Sequence, residues 1–276
     1  MDDLGHHIML RSDDDRVLAP SPPQRRALAT AVYRVAKDFP LLAFGAADNH
    51  LHLEALCDRA TAGALAHRVM CSLHWALDFS GRFSPVRIKR LEDQGHLRST
   101  FHYTLNQRNH HGVQSDPFLD GSSLPELLGL RLLPTDSVQL VREHFPRLQR
   151  GGLLRHLGSD RLDPARGDQL IALVNAGRHD LLRDAAAAVV GAPDLRSKQP
   201  EVVAAATTLV QLLAPCCSPP IIGEIVQRSR SRVRHMRSKA PSPPLEHAIR
   251  LQLGLRLLLL ETHLELMEAN DAGPPR

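Results

Sequence analysis

Apolar positions between residues 7 and 108 switch between a period of two and a period of three to four, in an order that predicts a mixed α+β domain. His7 to Arg11 reads as a short strand. From Pro22 to Asp38, the residues Leu28, Val32, Val35 and Ala36 share a helical face, with Ser21 available as a cap and Pro22 suited to the first turn. Leu41 to Gly45 and His50 to Leu56 read as two strands joined by Ala46-Ala47-Asp48-Asn49, which supplies turn residues. Thr61 to Phe79 is helical in pattern through Leu65, Val69, Leu73 and Leu77. Phe83 to Leu91 alternates again, with Val86 and Ile88 opposite Arg87 and Lys89, and a helix over about Glu92 to Arg108 follows. This order predicts a ferredoxin-like antiparallel sheet with helices on one side.

Beyond Leu133-Pro134 the pattern changes to helices separated by Gly and Pro breaks, which places a domain boundary there: 1–134 for the sheet domain and 135–268 for an all-α region. Within 201–256, the segments Glu201 to Leu213, Pro220 to Gln227 and Ser229 to Ser238 predict three helices. The short turn between the last two suggests a helix-turn-helix. Ser229 can cap the last of them, and Arg230, Arg232, Arg234 and Arg237 give it a dense basic face suited to phosphates and guanine edges. Residues 269–276 are expected to be a disordered tail.

Composition narrows the function classes. The chain has 276 residues, a 43% apolar content sufficient for a packed core, a net charge of +4 and an aromatic content of only 4%. A nucleic-acid partner is compatible with this charge, and the scarcity of aromatic rings points to backbone and phosphate contacts rather than base stacking. Cys57, Cys71, Cys216 and Cys217 form no Cys-x-x-Cys pair, which disfavours zinc-finger and thioredoxin-like readings and fits reduced thiols in a cytoplasmic protein. The beginning Met1-Asp2-Asp3 has neither the basic nor the apolar region of a secretory signal. Leu251 to Leu260, interrupted by Gln252 and Arg256, is too short to cross a bilayer, so no membrane association is expected.

The chemistry-bearing stretch is Asn49-His50-Leu51-His52-Leu53-Glu54. Strand alternation projects His50 and His52 from one face, with Glu54 continuing it, while Leu51 and Leu53 enter the core. Two neutral imidazoles so placed are half of a divalent-metal site, and Glu54 is a candidate third ligand by strand phase. Tyr103 and Gln107 lie one helical turn apart. A metal platform with a presented phenol is the equipment for phosphodiester cleavage by a tyrosine nucleophile; Tyr33, the other tyrosine, falls on a packing helix.

Three ordered segments, Gly5-His6-His7-Ile8-Met9-Leu10-Arg11, Ala47-Asp48-Asn49-His50-Leu51-His52 and Asp116-Pro117-Phe118-Leu119-Asp120-Gly121-Ser122-Ser123-Leu124, together with Tyr103, resemble the single-tyrosine HUH (His-hydrophobic-His) endonucleases. The likeness is to the REP-associated tyrosine transposases related to small insertion-sequence transposases, and it covers about the first half of the chain. The resemblance implies a transposase-like nuclease and strand transferase acting through a 5′-phosphotyrosine. It also implies a third metal ligand one turn after the nucleophile, where Gln107 stands, with Mg2+ or Mn2+ as cofactor. Single-stranded or hairpin DNA is the implied substrate and a homodimer the implied assembly, with Arg11 on the first strand a further DNA-binding candidate. The helices of 201–256 look like the helix-turn-helix attached to some members. The chain departs from the family pattern at Asp48, where proline is common, and at Asn106-Gln107-Arg108-Asn109, where Asn-Pro is frequent. These departures motivate a second reading, a domesticated DNA-binding protein that has lost cleavage.

Overall fold

The computed structural model describes residues 4–113 and 116–271, with side-chain surroundings described through residue 260. The chain divides into two compact units, Met1–Asp160 with Gly191–Pro193, and Arg161–Val190 with Asp194–Arg276.

The first unit is α+β. Its elements in order are β1 (Gly5–Arg11), α1 (Pro22–Ala36), β2 (Leu41–Ala46), β3 (His50–Ala55), α2 (Arg59–Leu77), β4 (Arg87–Leu91), α3 (Gln94–Leu105), α4 (Gln107–His111), α5 (Leu124–Leu128), α6 (Ser137–His144) and α7 (Arg150–Leu154). The strands form one antiparallel sheet in the order β2-β3-β1-β4. Alternation splits its residues cleanly: Ile8, Leu10, Leu51 and Leu53 join Leu28 and Val32 of α1 and Leu65 and Val69 of α2 in a fully buried core. Each such side chain contributes roughly 1.5–3 kcal/mol of transfer free energy, which specifies the register because a slip by one residue would turn the leucines out. Asp58 starts α2 by accepting from the Thr61 N–H at 2.8 Å, and Asp78, in the left-handed conformation, ends it.

Because the leucines face α1 and α2, the odd-numbered strand positions of β1 face the other way, with the histidines of β3. Part of that second face is covered, so helices lie on both sides of the sheet rather than on one as the hydrophobic pattern suggested. The covering element is α3, which buries Leu97, Phe101 and Leu105 and approaches β2 so closely that a Cβ built on Gly45 would stand 1.9 Å from the Thr104 carbonyl oxygen. Asp93 caps α3 by accepting from the His96 N–H at 2.8 Å. The helix expected over 92–108 is not continuous: Asn106, at φ −94° and ψ 13°, ends α3 and leads into α4.

Residues 116–131 seal the far edge of β2. Ala46 N–H donates to Gly121 O at 2.8 Å, Phe44 N–H donates to the Ser123 hydroxyl at 2.7 Å, and Gly45 bridges Ser122. A buried ionic cluster fixes this segment. The Arg131 guanidinium binds both carboxylate oxygens of Glu126 and donates to Asp120 O and Ser122 O, each at 2.7 Å, while Arg26 pairs with Asp120 at 3.1 Å and donates to Ala192 O at 2.7 Å. The unit continues past the expected boundary at 134. The Ser137 hydroxyl donates to Leu41 O at 2.7 Å, and Arg150 donates to Leu128 O at 3.1 Å, which ties residues 137–150 to the sheet unit.

The described part of the second unit is helical: α8 (Gly167–Asn175), α9 (His179–Val189), α10 (Pro200–Leu213), α11 (Pro219–Val226), α12 (Arg230–Arg237) and α13 (Pro243–Asp271). Buried Val233 and Met236 anchor α12, and its Arg230, Arg232, Arg234 and Arg237 are exposed. Ser229 caps α12 from Arg232 N–H at 3.3 Å. At Gly223 a Cβ would meet Arg228 O at 2.8 Å, so the turn between α11 and α12 is as tight as the sequence suggested. Helix α13 runs to Asp271, into the stretch expected as a disordered tail; residues 272–276 lie outside the described residues. Among the described residues, no helix is long and apolar enough to cross a membrane.

Candidate functional site

The second face of the sheet carries a row of imidazoles. His50 and His52 project together from β3 with ring centroids 4.8 Å apart. In register, Met9 of β1 lies beside His52, Arg11 beside His50, and His7 beside Glu54. The α3 and α4 helices close over this row from above and bring Tyr103, Gln107, His110 and His111 to it.

Each β3 imidazole is oriented by a partner on its Nδ1. Asn49 Oδ1 lies 2.7 Å from His50 Nδ1, and the Asn49 amide is itself turned by donating to Asp15 Oδ1 at 2.7 Å. An amide oxygen only accepts, so His50 carries its proton on Nδ1 and keeps the lone pair on Nε2. His52 Nδ1 lies 2.8 Å from His7 Nε2, and the two rings stack at 5.0 Å and 9°. With His52 Nδ1 as the donor, its Nε2 lone pair is also available. That Nε2 atom is buried and has no hydrogen-bond partner.

Burial keeps these rings neutral. It pushes His52 down to about 2, and both His7 and His50 to about 4, with neighbouring cationic or imidazole groups adding to the effect. Neutral imidazole is the form that ligates a metal.

Tyr103 is the exposed member, 38% accessible, in the last turn of α3. Its ring centroid stands 5.3 Å from His52, 5.4 Å from His110 and 6.2 Å from His7. The other tyrosine, Tyr33, is buried in the core beside Phe44. Gln107 begins α4 and is buried. Its Nε2 donates to Tyr103 O at 2.8 Å, which leaves Oε1 buried without a partner, and its Cγ lies 3.3 Å from the Cβ position that Gly45 leaves empty. Since Gly45 pairs with His52 across β2 and β3, Gln107 sits over the same strand pair as the imidazoles. The expected shared face of Tyr103 and Gln107 is therefore divided: the phenol is presented outward and the amide inward, because the chain turns at Asn106.

Glu54 shares the His52 face, fully buried, with neither carboxylate oxygen hydrogen-bonded. Desolvation raises its pKa well above the usual carboxylate range. An uncompensated buried carboxylate of this kind is kept neutral by protonation or neutralised by a cation. Among the described residues, no three His, Cys, Asp or Glu side chains converge on a metal-sized position. The acceptors buried on this face without a hydrogen-bond partner among the described residues are His52 Nε2, Gln107 Oε1 and the two Glu54 oxygens, the kinds of atom that ligate a divalent cation.

Arg11 is exposed and engaged with Asp15 at 2.5 Å, four residues on. It belongs to the Asp15-Asn49-His50 chain of contacts as much as to any outward surface. Sequence reasoning missed His7, Asn49, Gly45, His110 and His111. The signal for His7 was present, since the period-two pattern that places Ile8 in the core puts His7 on the histidine face. Gly45 and the α4 histidines depend on how α3 packs, for which the sequence offered no local sign. No family model matches the chain, and neither a curated protein nor a solved structure matches it.

Proposed function

We propose that the first unit is a metal-dependent endonuclease and strand transferase for single-stranded or hairpin DNA that works through Tyr103. The observation that carries the reading is one geometry: an exposed phenol whose ring centroid lies 5.3 Å from that of His52, over a sheet face on which two buried acceptor atoms, His52 Nε2 and Gln107 Oε1, have no hydrogen-bond partner among the described residues. The strand order β2-β3-β1-β4 with the α1 and α2 crossovers supports a ferredoxin-like frame for it.

His50 Nε2, His52 Nε2 and Gln107 Oε1 are the atoms that would hold a divalent ion, Mg2+ or Mn2+, which when bound neutralises charge on a scissile phosphate. Tyr103 Oη forms the new bond to phosphorus while the bond from phosphorus to the 3′ oxygen breaks. The products are a 5′-phosphotyrosine and a 3′ hydroxyl, so the energy of the phosphodiester is retained for rejoining. A phenol has an ordinary pKa of about 10, so its proton must be taken up as it attacks and one must reach the departing 3′ oxygen; the His110 imidazole, with its ring centroid 5.4 Å from that of Tyr103, is the flanking group for that transfer, since the acceptor nitrogen of His7 is already engaged by His52. His7 and Asn49 hold the two β3 rings in the ligating orientation. Helix α12 supplies an exposed basic face suited to a helix-turn-helix contact with duplex DNA, which would bring the catalytic unit to its target.

The test is incubation with a single-stranded hairpin oligonucleotide and Mn2+. Wild type should yield a denaturant-resistant protein–DNA adduct, and Tyr103→Phe should yield none. The break at Asn106, which separates Gln107 from the tyrosine helix, favours a second reading as a DNA-binding protein without cleavage. Hairpin binding with no adduct, unaffected by His50→Ala, would establish that reading instead.

A further inference from the structure

Beside the imidazole row, β4 and α3 wall a cleft of about 440 Å3 that contains Arg87, Lys89, His96 and Ser99 and opens against Tyr103 and His52. The register explains why these groups share one surface. Met9 pairs with His52 on one side and Arg87 on the other, and His7 pairs with Glu54 on one side and Lys89 on the other. The two cations therefore lie on the same sheet face as the histidines, about 10 Å from them across two strand spacings, and about 7 Å from each other along β4. Both are exposed, neither makes an ion pair among the described residues, and no carboxylate lines the cleft. His96 accepts the Glu92 N–H on Nδ1 at 3.4 Å, so its Nε2 carries the proton and is a further donor.

We infer that this cleft is a subsite for the sugar–phosphate backbone of single-stranded DNA next to the cleavage position, with Arg87 and Lys89 as its phosphate contacts. The inference rests on the function proposed above and adds where the strand runs: from the Tyr103–His52 centre over Met9 to the β4 edge. Successive same-face residues on an extended strand repeat on the scale at which phosphates repeat along a nucleic-acid strand, so two contacts of matched spacing are available without any base being read. A chain this poor in aromatic residues has little else with which to hold a single strand.

The experiment is a salt series of fluorescence anisotropy titrations with a labelled mixed-sequence single-stranded oligonucleotide, on the full chain without added metal. Arg87→Gln/Lys89→Gln should flatten the slope of log K against log salt by about 1.4, the loss of two phosphate contacts on a single strand. Mn2+ binding, followed by electron paramagnetic resonance, and the thermal midpoint should stay at wild-type values. Arg34→Gln/Arg68→Gln, the same charge change on α1 and α2 behind the sheet, should leave the slope unchanged. A wild-type slope in the β4 variant overturns the inference. An equal loss in the helix variant, a wild type that does not bind the strand, or the same β4 dependence with duplex DNA also overturns it. Binding that shows the β4 dependence while no phosphotyrosine adduct ever forms would sink the cleavage reading and leave the subsite standing.

Discussion

Replacing Gly45 by alanine tests the site through its packing rather than its chemistry. The added Cβ would stand 1.9 Å from the Thr104 carbonyl oxygen and 3.0 Å from the Thr104 carbonyl carbon, both backbone atoms that no rotamer change can move aside. Restoring ordinary contact at 3.4 Å requires the end of α3 to retreat by about 1.5 Å, the difference between the two distances. Overpacking of this kind costs about 1–3 kcal/mol, and the reduced freedom of the unfolded chain returns only about 0.4–1 kcal/mol, so destabilisation wins. At about 2–4 °C per kcal/mol for a unit of this size, the melting temperature should fall by only a few degrees. The site should suffer far more, because Tyr103 precedes Thr104 and Gln107 sits directly over Gly45. A misplacement of about 1 Å at a reacting group costs on the order of 100-fold in rate. The assay is the rate of Mn2+-dependent adduct formation with hairpin DNA at a temperature well below both melting transitions. A Gly45→Ala protein that melts a few degrees lower but forms adduct at the wild-type rate would refute the placement of the nucleophile on α3; unchanged melting would refute the close approach itself.

Other outcomes follow from the same geometry. Asn49→Ala removes the acceptor that fixes the His50 tautomer, and Mn2+ affinity by calorimetry should fall about 10–100-fold with folding intact; unchanged affinity would show that His50 does not ligate through Nε2. Glu54→Gln removes a buried carboxylate without a partner, so it should raise the melting temperature of the metal-free protein at pH 7 while leaving Mn2+ affinity unchanged if Gln107 is the third ligand, and lowering it if Glu54 is. Protonation supplies a further test. The folded pKa of His52 lies far below its unfolded value of 6.5, so the unfolded chain takes up protons first and stability is lost as pH falls below 6.5. At pH 5 this amounts to about 2 kcal/mol from His52. Glu54, raised instead, loses stability as pH climbs above its unfolded value of 4.5 and opposes this trend, so urea unfolding should be steeper in pH between 5 and 6.5 for Glu54→Gln than for wild type. Equal slopes would remove Glu54 from the buried set. Arg131→Met leaves the buried Glu126 carboxylate without its guanidinium and should cost about 3–5 kcal/mol in urea unfolding; a loss under 1 kcal/mol would show that the cluster does not hold residues 116–131.

The elements that packing alone dictates were legible in the sequence. Ile8, Leu10, Leu51 and Leu53 at period two in β1 and β3, and leucines and valines at helical spacing in α1 and α2, are the same residues that fill the core, and the three helices of 201–238 fall within one residue of their expected ends. Alternation also put His50, His52 and Glu54 on one face. What the pattern did not reveal is the second layer. A sheet face composed of His7, Met9, His52 and Arg87 reads as solvent-facing, yet α3 covers part of it. The mark of that cover is the missing side chain at Gly45, which has meaning only once the helix is seen above it. The turn at Asn106 was equally hidden, since Tyr103-Thr104-Leu105-Asn106-Gln107 has no Gly or Pro to mark a break. The domain boundary was displaced for a similar reason: Ser137 and Arg150 return to Leu41 and Leu128 through long-range hydrogen bonds that no local signal encodes.

The sheet has two outer strands, and they are treated differently. Strand β2 is closed by Gly121–Ser123, whereas β4 has no further strand beside it among the described residues and carries Arg87, Lys89 and Arg90 in a row. A second molecule adding antiparallel to that border would bring arginines and lysines face to face, a repulsion that discourages edge-to-edge aggregation. Edge-to-edge self-association is thereby disfavoured, and the same charge that guards the border draws a polyanion toward the face that carries Arg87 and Lys89.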